Sequence, residues 1–212
     1  MFGWFGKREQ EAGPLDEGLW ESATAPYLFM RGLAPADDGR LRALAAGFLA
    51  RKQFSGTHDL DLTPFMRVQV AAQACILVLE LGLEWYDGWS EIIVYPGQFV
   101  PEREVMDEAG VVHLVNDPMA GEAWLGGPVI LSYEDVAMTS DEDSRVAGYN
   151  VVIHEFAHKL DMLNGEPNGC PPLHAGMALP AWRRAFSEAY ADFRRKVDEA
   201  DARAEEDGGQ AL

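Results

Sequence analysis

Cysteine is almost absent from this chain. Cys75 and Cys170 are its only two. They are far apart and form no C-x-x-C pair, so the sequence carries neither a disulfide framework nor a cysteine zinc knuckle, and both are expected as free thiols. Basic charge is also scarce. Lys+Arg number 17 against 35 Asp+Glu, a formal net charge of -18. Such a surface repels phosphate backbones and anionic headgroups, which argues against a nucleic-acid or membrane partner. Long apolar runs are missing too. The most hydrophobic window, VQVAAQACILVLELGL (68–83), is short for a membrane span and is interrupted by Gln69, Gln73 and Glu80. The N-terminal MFGWFGKREQE lacks the apolar stretch of a signal peptide. A soluble, cytoplasmic protein is the expectation.

What is present reads as α+β. Residues 15–54 have helical spacing, with Leu41, Leu44, Phe48 and Leu49 on one side. Pro64 suits the start of a second helix, whose stripe is Val68, Ala72, Cys75, Leu79 and Leu83. Three strands are expected, in EIIVYP (91–96), GVVHLV (110–115) and GGPVILSY (126–133), and PVILSY is the expected sheet edge. Trp85, Tyr86 and Trp89 read as core aromatics. Pro180 starts a last helix towards residue 205. With no repeat and no long linker, helices, a small mixed sheet and further helices indicate one α+β domain over 1–212.

The stretch VVIHEFAHKLDMLNG (151–165) carries the chemistry. The acidic run TSDEDS (139–144) precedes it, as suits a helix N-terminus, and Asn164-Gly165 is a helix stop. On a 3.6-residue helix over 151–163, His154, His158 and Asp161 share a narrow face. Tyr149, Ile153, Phe156, Leu160 and Leu163 lie roughly opposite. Two histidines four apart can place two ring nitrogens on one Zn²⁺. Glu155 points to the side of that pair, which suits a general base for a water activated by the ion. Asp161 is the candidate to orient an imidazole N–H. An accidental H-E-x-x-H is expected roughly 0.01 times in a chain of this composition, a rate that still yields false positives across many proteins.

A catalytic zinc usually takes three protein ligands and an open position. No convincing third ligand emerges. His58 reads as a surface loop residue and His113 as a sheet residue. His174 and Glu166, in the loop after the motif, are weaker candidates. On the last helix, Trp182, Phe186, Tyr190, Phe193 and Val197 form the apolar stripe, and Glu188 and Glu199 lie off it.

The blocks VLELGLEWYDGWSEIIVYP, GPVILSYEDV and VVIHEFAHKLDMLNG, in this order, resemble the Mlc titration factor A family of zinc metallopeptidases. The resemblance runs from about the first helix to about the last. It implies a zincin-like, gluzincin-type core, with His154 and His158 as zinc ligands and Glu155 as the catalytic glutamate. It implies aminopeptidase-type activity on a peptide substrate, and binding of the glucose-responsive repressor Mlc that relieves repression of sugar-uptake genes. The family's third ligand is a glutamate in an N-P-x-E-F-F-like motif on a further C-terminal helix. No such motif occurs before Leu212, so that ligand is expected beyond it and weak zinc binding is expected of these 212 residues. A non-catalytic protein that sequesters a repressor is the alternative.

Overall fold

The computed structural model describes residues 13–101, 103–106, 112–115, 117–138 and 149–209. The chain divides after Gly169 into two compact units.

The first unit opens with helix α1 (Glu17–Thr24), capped by the Asp16 carboxylate, which accepts from Leu19 N–H at 2.9 Å. Helix α2 (Pro35–Arg51) starts on proline, has Asp37 and Asp38 at its positive end, and closes with Arg51 at its negative end. Strand β1 (Gln53–Gly56) follows, where helix was expected to continue to residue 54. Helix α3 (Pro64–Ile76) is capped by Thr63. Strand β2 (Glu91–Tyr95), the β3–β4 hairpin (Arg103–Met106 and Val112–Val115), β5 (Gly121–Ala123) and β6 (Val129–Ser132) come next. A short helix α4 (Tyr133–Met138) and helix α5 (Val151–Asp161) complete the unit. The fold is α+β, as expected.

The main sheet runs β1-β2-β6-β5. β1, β2 and β6 are parallel, and β5 is antiparallel to β6. The expected edge strand is therefore interior. All four residues of β6 are buried, and β5 is the edge on that side. The unbroken apolar run of Val129, Ile130 and Leu131 suits a strand covered on both faces and paired on both sides. Ile92, Val94, Val129 and Leu131 share one face by register and are fully buried. They join α3 and α5 in a core whose aromatic centre is Phe48, Tyr86 and Phe156. Trp85, Tyr86 and Trp89 are core aromatics, as read: Tyr86 is buried, and the two tryptophans pack against the cluster.

Two lysines border this core. Lys52 Nζ donates to the carbonyls of Tyr86 (2.5 Å) and Trp89 (2.6 Å) and stands 3.6 Å from the Trp89 ring centroid. Burial, and then the nearby Lys159 and Arg51 charges, lower its pKa to about 8 against the pull of Asp87. A lysine depressed in the fold binds its proton more tightly when unfolded. Stability should therefore rise with pH between the folded and unfolded values. Between about pH 8 and 9.5 the wild type should gain about 2 kcal/mol in urea titrations, and Lys52→Met should remove about half of that rise, the rest belonging to Lys159, whose pKa burial also lowers to about 8.

Helix α6 (Leu179–Gly209) is the long element of the second unit. Its surface carries Arg195 paired with Asp192 and Glu199, and Lys196 paired with Asp192. Among the described residues, no helix is long and apolar enough to cross a membrane. Cys75 is buried and Cys170 half-buried, and neither forms a disulfide.

Candidate metal centre

Helix α5 is held at its start by a buried polar chain. Asn150 Oδ1 accepts from Ile153 N–H at 2.8 Å, and Asn150 Nδ2 donates to Gln73 Oε1 on α3 at 2.8 Å. Gln73 Nε2 in turn donates to Tyr27 Oη at 2.9 Å. The cap is thus Asn150, and the acidic run 139–144 lies outside the described residues. The helix ends at Asp161, two residues short of the expected 163. A 3₁₀ turn over Met162–Asn164 follows, and Gly165 stops the chain at φ 131°, which its missing Cβ permits.

The two-sided pattern holds, with corrections at both ends. Phe156 is fully buried, and Leu160 packs against the core. Tyr149 and Leu163, expected on the apolar face, are 42% and 41% exposed because they sit outside the α-helical turns. His154 is exposed and His158 half-buried on the other side. Their Nε2 atoms are 3.2 Å apart. Two nitrogen ligands at about 2.05 Å from one tetrahedral ion stand roughly 3.3 Å apart. The spacing therefore fits a shared divalent metal. Burial, and then the charge of His158, lower the His154 pKa, which favours the neutral imidazole that a metal needs.

Glu155 is buried under the edge strand. A Cβ on Gly121 would lie 2.7 Å from Glu155 Cγ, from Glu155 Oε1 and from Val151 Cγ2. The glycine lets β5 close onto the glutamate. Burial, and then Glu122, raise the Glu155 pKa to about 7. A divalent cation on the neighbouring imidazoles would favour the carboxylate and lower that value. Gly121→Ala should push Glu155 off this position and cost about 1–3 kcal/mol in urea unfolding, the usual range for overpacking.

One turn on, Lys159 is buried as well. Its Nζ donates to the carbonyls of Trp124 (2.8 Å) and Gly127 (3.0 Å), tying α5 to the β5–β6 turn, and burial lowers its pKa to about 8. Sequence reasoning missed this lysine. Its only signal was the i, i+4 spacing from Glu155, which on an amphipathic helix reads as a solvated pair. Asp161 Oδ2 accepts from Gly169 N–H at 2.7 Å, and its Oδ1 is buried without a hydrogen bond. Glu166 and His174 are exposed, and His174 belongs to the second unit. Among the described residues, no three His, Cys, Asp or Glu side chains converge on one point.

The family model described as glucose-regulated metallo-peptidase M90 matches residues 2–207. The chain belongs to this family. The M90 chain is 35% identical over 198 residues to Mlc titration factor A of Klebsiella pneumoniae, covering 93% of its own length and 72% of the relative's. It is 33% identical over 191 residues to proteins of the same name from Escherichia fergusonii, covering 90% and 70%, and from Salmonella arizonae, covering 90% and 74%. The resemblance read from the sequence blocks is thereby shown. Membership makes the chain metallopeptidase-like and implies a metal, for which the described residues offer a two-imidazole pair.

Proposed function

We propose that this M90 chain is a zinc-dependent, aminopeptidase-type peptidase in which His154 and His158 hold the metal and Glu155 is the general base. The 3.2 Å separation of the two Nε2 atoms carries the reading, because it meets the spacing of two ligands on one ion. Zinc bound there supplies a Lewis acid for a peptide carbonyl and makes water more acidic. The remaining work falls to the chain. Glu155, buried beside β5, accepts the proton of the attacking water and can return it to the leaving amine. Gly121 keeps the strand close enough to shield that carboxylate from bulk water. Lys159 fixes the β5–β6 turn against the same helix. Asp161 lies one turn beyond His158, and its buried Oδ1 is available to an imidazole N–H when that ring turns to bind metal.

Two imidazoles grip an ion weakly, so activity should depend on added zinc. Chain dialysed against a mild chelator should lose its metal. Hydrolysis of an aminoacyl anilide should then return as zinc is titrated in, and His154→Ala should bind none. Tight stoichiometric zinc in the His154→Ala variant would refute the assignment.

The relatives' name favours a second reading, in which regulation needs no chemistry. The relatives' printed name refers to titration of Mlc. On this reading the chain binds a glucose-responsive repressor of that kind. The check is release of the repressor from its operator DNA on adding the chain. A release that persists with His154→Ala separates binding from catalysis.

A further inference from the structure

Helix α6 carries an apolar stripe that is largely open to solvent. Phe186 is 56%, Tyr190 64% and Phe193 63% exposed, and Leu179 and Val197 are exposed beside them. The Trp182 and Phe186 rings lie 4.0 Å apart on the same helix. At about 100° per residue, positions 179, 182, 186, 190, 193 and 197 fall within roughly 80° of the circumference. Scattered apolar side chains on a surface are ordinary, but a continuous stripe of large aromatics marks an interaction face.

The charges around the stripe point to what covers it. Near the start of α6 stand Arg183 and Arg184, and Arg194, Arg195 and Lys196 follow past its middle. Asp198, Glu199 and Asp201 come after them, before Arg203. A second copy laid parallel would set like charge on like. A second copy laid antiparallel sets Arg183 and Arg184 near Asp198, Glu199 and Asp201. The positions along the edge of the stripe agree. Arg183 and Asp201 are eighteen residues, or about five full turns, apart, so both border the same edge of the stripe. In an antiparallel pair related by a two-fold axis, that edge meets its own copy. A register centred on Asp192 brings Arg183 against the second copy's Asp201 at both ends and crosses the two Phe193 rings near the axis.

We propose that α6 mediates antiparallel self-association of this chain through the Trp182–Val197 stripe, with Arg183 and Asp201 fixing orientation and register. The protein's net charge of -18 opposes association in general. Between residues 183 and 203, however, six basic side chains balance five acidic ones, so this is a face where two acidic molecules can meet. One helix face per copy is small beside a standard interface of about 800 Å² per partner, so the dimer should be weak.

Sedimentation velocity of the full chain over about 1–200 μM should show a monomer–dimer equilibrium with a midpoint in the tens of micromolar. Phe186→Asp with Phe193→Asp should remain monomeric throughout, with unchanged helical circular dichroism. Arg183→Glu or Asp201→Arg alone should raise the midpoint about tenfold, since each reversal acts at two symmetry-related contacts. The double reversal should restore it to within about threefold. Arg183 and Asp201 are exposed, so these variants test the register without disturbing a core. A wild type that stays monomeric overturns the proposal, and so does a dimer indifferent to Phe186 and Phe193. Single reversals that the double reversal does not rescue overturn it as well. So does concentration-independent hydrogen-exchange protection of α6 in a monomer, which would mean that another part of the same chain covers the face.

Discussion

Glu155→Gln should lower zinc-supported anilide hydrolysis by about 10²–10⁴-fold while leaving zinc binding within a few-fold of wild type. The expectation follows from where the side chain sits. Glu155 is buried between α5 and β5, beside the imidazole pair but on a different face of the helix. Glutamine is nearly isosteric, so Gly121 and Val151 keep their contacts, and only the proton acceptor is removed. The folded state should not suffer, because a buried carboxyl whose pKa is pushed up to about 7 is a burden when ionised. The variant should therefore match or exceed the wild type in urea resistance at neutral pH. That combination of lost turnover, kept metal and kept stability is one that a merely structural glutamate would not produce. Loss of zinc together with activity would instead make Glu155 a ligand or a support for one. Full activity in the variant would remove it from the chemistry altogether.

How far the sequence could be read depends on the range of the interaction concerned. The histidine helix was legible because its information is local. The four-residue spacing of His154 and His158, the position of Phe156 opposite them and the Asn164-Gly165 stop all lie within fifteen residues. The cap was not legible, because Asn150 is fixed by Gln73 from another helix, and nothing near residue 150 announces that partner. Strand β6 was legible as an apolar run, but its interior place was not. That place depends on β5, a three-residue strand containing glycine, which no periodicity can reveal. Strand β1 was hidden for the same reason, with Phe54 its one large apolar residue. The burial of Glu155 and Lys159 was not legible, because angle counting places a residue around a helix but does not show which neighbours cover it. Here a hairpin covers the flank of α5, and its carbonyls satisfy the ammonium. A third ligand was not legible in the sequence, and among the described residues no three His, Cys, Asp or Glu side chains converge.

Phe156→Ala should cost about 3–5 kcal/mol of unfolding free energy, a large part of a typical domain's 5–15 kcal/mol. Phe156 is fully buried and is where α5 meets the rest of the core. Its ring centroid lies 5.7 Å from that of Phe48, 5.4 Å from Tyr86 and 5.8 Å from Trp89. Three of those four aromatics come from the α2 and Leu83–Trp89 region, so the ring fastens the histidine helix to elements distant in sequence. Truncation to alanine removes the transfer energy of the ring and leaves a cavity that these rigid neighbours cannot close. Lys52 also rests on Trp89, and its two carbonyl bonds hold the segment that would have to move. Phe156→Leu, which keeps most of the volume, should cost less than half as much. Urea titrations should show the midpoint falling for both variants with the slope unchanged, as expected when stability changes without a change in exposed surface. The alanine variant should also bind zinc more weakly at temperatures where it is still folded, because the turn carrying His154 and His158 would lose the packing that fixes it. A loss below about 1 kcal/mol for alanine would show that α5 is held mainly by its polar ties at Asn150 and Lys159, and that the aromatic cluster is not what positions the two histidines.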